Sequence, residues 1–135
     1  MAVVPAHLAV DLPADVTDEV GACLGIPGIT AHRTAFADGP VDGLTVLVHG
    51  VLGGVGALAA LLARWGGAAV IGTVRPADDL QRVTWMPSTA LDLDQPDPAA
   101  AIRSVTPAEV DRIVEVNFSA VLLTIPDRHP DREIN

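Results

Sequence analysis

Residues 45–75 read TVLVHGVLGGVGALAALLARWGGAAVIGTVR, and the hydrophobic pattern changes twice along them. Thr45 to His49 is a β-branched, mostly apolar run between Gly43 and Gly50. A strand buried on both faces needs that character. Val55 to Trp65 follows as a helix in which Arg64 is the one charged side chain, and Gly66-Gly67 supplies its stop. A helix so apolar must be covered on most of its sides. Ala69 to Val74 is a second β-branched run. Strand, helix and strand within about 30 residues predict a right-handed parallel crossover, the opening unit of an α/β fold.

The turn into the helix is His49-Gly50-Val51-Leu52-Gly53-Gly54-Val55-Gly56, and its place between strand and helix gives the glycines meaning. Lacking a Cβ, Gly53 and Gly54 let the backbone approach a pyrophosphate, while the free N–H groups of the helix's first turn supply donors and the positive dipole end. Gly56 lets the helix pack closely on the strand. The strict G-x-G-x-x-G spacing would require glycine at Val51, so the motif is a variant spaced Gly50, Gly53, Gly56. A tight turn that holds no ligand is the alternative reading.

An NAD-binding domain usually ends its second strand with an acid that accepts the ribose 2′-hydroxyl. Here Thr73, Val74 and Arg75 stand in that place. A hydroxyl and a guanidinium suit a 2′-phosphate, because arginine can pair with phosphate through two parallel hydrogen bonds where a carboxylate repels it. The pattern favours NADPH over NADH; the alternative is that Arg75 is only a solvated charge after a strand.

Working outward, Val3 to Val10 is apolar around Pro5 and reads as an edge strand or an extended connection. Thr17 to Leu24 reads as a short helix with a hydroxyl cap and two acids in its first turn, ended by Gly25. Ile29 to Phe36 reads as another, set off by Pro27-Gly28 and by Asp38-Gly39-Pro40. Beyond the crossover, Pro76 to Gln81 begins a short helix and Arg82 to Pro98 reads as a loop with a short strand near Leu91. Asp97 to Ser104 reads as a helix and Asp111 to Val116 as a further strand. The charged residues from Asp127 to Asn135 read as a solvated tail.

The bulk numbers bound the function classes. At 135 residues the chain suits one domain, and a 50% apolar, 19% charged composition predicts that it folds. Seventeen acids against eight bases give a net charge of −9, which repels a phosphate backbone and argues against nucleic acid as a partner. A single cysteine cannot form an internal disulfide, and no apolar run reaches the roughly 20 residues of a membrane span. These features read as a cytoplasmic chain without a membrane segment. Cys23, between Ala22 and Leu24, is expected to be a buried, inert thiol. His7, His32, His49 and His129 lack metal-ligand spacing, so no metal site is expected.

Three segments taken together, Ala22 to Phe36, Thr45 to Gly56 and Val70 to Arg75, resemble the quinone oxidoreductase branch of the zinc-free medium-chain dehydrogenase/reductase superfamily. That family carries a Leu-Gly-x-Pro-Gly-x-Thr-Ala segment before a first strand reading Val-Leu-Val-His-Gly, then an Ala-x-Gly-Gly-Val-Gly turn. Leu24 to Ala31 and Val46 to Gly56 match these blocks except at Val51, which stands where the family turn has alanine, and the likeness runs from residue 3 to about 118. The resemblance implies a Rossmann-like parallel sheet with flanking helices, alcohol dehydrogenase-like and incomplete at this length. It also implies NADPH-dependent reduction of quinones or of activated carbonyl or alkene substrates. By position, Thr30 would approach the nicotinamide or its phosphate, Gly53, Gly54 and Val55 the pyrophosphate, and Thr73 and Arg75 the adenosine 2′-phosphate.

The family's β-rich catalytic domain is missing, so residues 1–40 are expected to be the connection and short helices leading from it and residues 41–135 the dinucleotide-binding domain. No catalytic acid or base is identified. A sheet left open at its edge, with an uncovered apolar helix, favours self-association. The expectation is a homodimer or partner-bound chain, and a monodisperse monomer in light scattering counts against it. A non-catalytic nucleotide-binding or self-assembling module is the alternative to an enzyme.

Overall fold

The computed structural model describes residues 3–75, 77–85, 89–106 and 109–116. The expected tail after Asp127 and part of the loop near Pro87 lie outside them. Thr17 accepts a hydrogen bond from the Val20 N–H at 3.4 Å and opens α1 (Asp18–Cys23), with Asp18 and Glu19 complementing the helix dipole. Gly25 leaves helical geometry at ψ −113°, and one wide turn, Leu24–Gly28, leads into α2 (Ile29–Phe36). The helix break expected at Gly25 is therefore a kink.

β1 (Thr45–His49), α3 (Gly54–Trp65) and β2 (Ala69–Val74) form the crossover, with His49 opposite Thr73 in the parallel ladder. A 3-10 turn over Ala77–Val83 precedes β3 (Thr89–Asp92). Asp97 caps α4 (Pro98–Val105) through a 2.8 Å bond from the Ala100 N–H, and β4 (Arg112–Val114) closes the described chain. All pairings are parallel and the strand order is β3-β2-β1-β4. The result is a Rossmann-like sheet with helices on both faces.

Strand alternation divides the core. Val46, Val48, Val70 and Val74 face α2 and α3, where Ala31, Ala59, Ala60 and Ala63 pack against them. Leu47 and Ile71 face the other way, onto Leu93 and Ile102 of α4. Small alanines on α3 bring that helix close to the sheet. Eight of the twelve α3 residues are buried or half-buried, the cover expected on most sides, and an outer strip with Leu61 and Trp65, the latter 82% exposed, is left open among the described residues. Arg112 ties the end of α2 to β4 by donating to the carbonyls of Ala35 and Gly39 at 2.7 and 3.1 Å.

Of the two readings of residues 3–10, the structure shows the extended connection and not the edge strand: they hold one 3-10 turn, Ala6–Leu8, within an exposed extended run. One expectation is corrected. Cys23 is exposed rather than buried, since α1 is short and buries no residue.

Candidate cofactor-binding site

Reversal of strand order beside β1 leaves a crevice at the carboxyl ends of the strands, because β2 and β4 lie on opposite sides of β1 and α3 and the chain after β2 lead away from it. A cavity of about 340 Å³ opens there, within the size range of small-ligand clefts. Its wall comes from the β1–α3 turn (His49 to Gly56 except Val51), from the end of β2 (Thr73 to Arg75), and from Asp79, Leu93 and Val116.

The turn is shaped by its glycines. Gly50 adopts φ +70°, a conformation that side chains disfavour, and its carbonyl accepts the Gly53 N–H at 3.0 Å. Gly56 fits because it has no side chain: a Cβ there would collide with the Gly50 carbonyl oxygen and lie 2.9 Å from its carbon. Gly54 differs, since a Cβ on it would meet nothing within 4 Å. The backbone at the start of α3 thus lies open to the cavity. Gly53 caps the helix without a side-chain acceptor, so the first-turn N–H groups keep their donor capacity. Val51, at the place of the strict motif's first glycine, is fully buried and donates its N–H to the Thr73 carbonyl at 3.2 Å.

Gly53, Gly54, Val55, Thr73 and Arg75 are brought to one cavity. Thr30 is not: it is exposed on α2, its carbonyl accepting from the Thr34 hydroxyl at 3.0 Å. Thr73 is fully buried, and its hydroxyl meets His49 Nδ1 at 2.9 Å. The hydroxyl expected to face a 2′-phosphate is engaged inside the protein, which leaves Arg75 as the cationic side chain in the lining. Arg75 Nε lies 3.6 Å from Asp94 Oδ1, both side chains about half exposed.

His49 is a site residue that motif reading passed over. It is 2% exposed, and Glu115 Oε2 lies 4.0 Å from its Nε2. Burial holds the imidazole below its ordinary pKa; Glu115 pulls the other way and Arg75 adds to the depression. Its position as the last residue of a buried strand was the available signal. Leu93 and Asp94 were hidden in the segment read as loop. Leu93 reaches the cavity because its N–H continues the ladder to the Val74 carbonyl at 3.1 Å.

No protein-family model matches the chain. The curated quinone oxidoreductase of Pongo abelii is 43% identical over 68 residues, 50% of this chain and 21% of that protein. A quinone oxidoreductase structure from Pseudomonas syringae pv. Tomato DC3000 superposes with TM-score 0.61 at 29% identity, over 70% of this chain and 30% of the other. The mycobacterial Rv1454c structure complexed with NADPH matches with TM-score 0.61 at 36% identity, over 74% of this chain and 31% of that one. The chain spans about a fifth of the length of the curated relatives it matches. In sequence over half its length, and in fold, it resembles the quinone oxidoreductases of the medium-chain dehydrogenase/reductase superfamily.

Proposed function

We propose that the chain binds NADPH in the cavity at the carboxyl ends of β1 and β2, as the cofactor-binding part of a quinone reductase-type oxidoreductase. The observation that carries this is Gly54: the fold does not need a glycine there, yet its absent side chain keeps the backbone at the mouth of α3 clear. Gly53, Gly54 and Val55 would hold the pyrophosphate on the helix's first-turn N–H groups, and Arg75 would meet the 2′-phosphate. Thr73 would act from beneath, by fixing the His49 ring, and Thr30 would approach the nicotinamide end only with a rearrangement of α2. When bound, the cofactor supplies a hydride for a quinone or an activated carbonyl or alkene. The chain's own share is to bind and orient, and no catalytic acid or base is assigned to it.

The reading extends to a cytoplasmic homodimer formed through the open sheet edges, β3 and β4 among the described residues, or through the bare side of α3. No helix among the described residues is long and apolar enough to cross a membrane. The test of activity is oxidation of NADPH by the purified chain in the presence of a quinone. Quinone-dependent loss of NADPH is the expected result; binding without turnover would leave a non-catalytic nucleotide-binding module.

A further inference from the structure

Arg75 is not the only charged group at the part of the cavity assigned to the 2′-phosphate. Asp79 lines the same wall, but its Oδ1 is held by Arg82 at 2.9 Å. Asp94 instead faces Arg75 itself, 3.6 Å from Nε.

The sheet fixes Asp94 there. Val74 pairs with Asp92 in the β2–β3 ladder and Leu93 donates to the Val74 carbonyl, so Leu93 comes level with Arg75 and Asp94 follows one residue beyond it. The chain then turns tightly: the Asp94 N–H donates to Asp92 Oδ1 at 2.8 Å, and Gln95 Nε2 donates to the Asp92 carbonyl at 2.6 Å. Neither bond uses the Asp94 carboxylate. That group is left to the guanidinium, in the place a phosphate would take.

We infer that Asp94 sets how strongly this site discriminates between NADPH and NADH, a step that rests on the cavity being the cofactor site. Without a 2′-phosphate, Asp94 neutralises Arg75; with one, it competes for the same donors and repels the dianion. Both effects act against NADPH and neither touches NADH, so Asp94 narrows the preference that Arg75 creates. Asparagine keeps the shape and the turn while removing the charge.

The experiment is calorimetric titration of the full chain and of Asp94→Asn with NADPH and with NADH, with thermal unfolding of both proteins alongside. Asp94→Asn should bind NADPH about three- to fivefold more tightly, the size a half-exposed charge pair supports, with NADH changed by less than about twofold. Unchanged or weaker NADPH binding, or a selective loss of NADH that would make Asp94 a ribose acceptor, overturns the inference and leaves the cofactor site standing. Binding of neither cofactor by the unaltered chain removes the underlying reading and this inference with it.

Discussion

A methyl group added at Gly54 and one added at Gly56 would meet opposite surroundings, and the contrast separates ligand binding from folding. At Gly56 the methyl strikes the Gly50 backbone, which cannot move without breaking the turn, so Gly56→Ala should cost about 3 kcal/mol of stability. At Gly54 the methyl enters open space, so Gly54→Ala should change stability by less than about 1 kcal/mol. It should nonetheless weaken NADPH at least about tenfold, by filling the approach to the pyrophosphate. Thermal melts and titrations of the two variants check this; equal NADPH affinity in Gly54→Ala would mean that the open space holds no ligand. Residue chemistry was legible where backbone shape decides it. The roles of Thr73 and Arg75 were only half legible, because sequence gives the types of the two side chains and not their partners, which the fold supplies as His49 and Asp94.

Three strand ends meet around one imidazole: Thr73 of β2 bonds to His49 of β1, and Glu115, just after β4, lies on its other side. Arg75 is the further charge that acts on the ring. Because burial depresses the native pKa below that of the unfolded chain, the unfolded state takes up the proton first on acidification. This contribution to stability is complete above about pH 6.5, the ordinary histidine value, and is lost as pH falls towards the depressed native value. The melting temperature should therefore fall from pH 7 to about pH 5.5. His49→Asn, whose amide can either donate to or accept from the Thr73 hydroxyl, should flatten that fall, and an unaltered slope would contradict it. At the level of elements, β1, α3, β2, α4 and β4 were readable from periodicity and caps, since each presents an apolar face to the sheet or belongs to it. Residues 3–10 stayed open between strand and connection in the sequence, because apolar side chains alone do not tell whether a neighbouring strand is there to pair with them; none is, among the described residues.

For the whole molecule, the decisive feature is strand order. Periodicity gives a parallel crossover, but only assembly shows that β4 lies on the far side of β1 and places the cavity at the point of reversal. The chain carries a net charge of −9, so a polyanionic cofactor must be held by local features, the open end of α3 and Arg75, against the field of the rest. The most direct measurement is therefore titration of the purified chain with NADPH and NADH, with Arg75→Glu beside it. The account predicts saturable NADPH binding, tighter than that of NADH, with the difference abolished or reversed in Arg75→Glu. No NADPH binding at millimolar concentration, or a preference for NADPH that survives in Arg75→Glu, would contradict it.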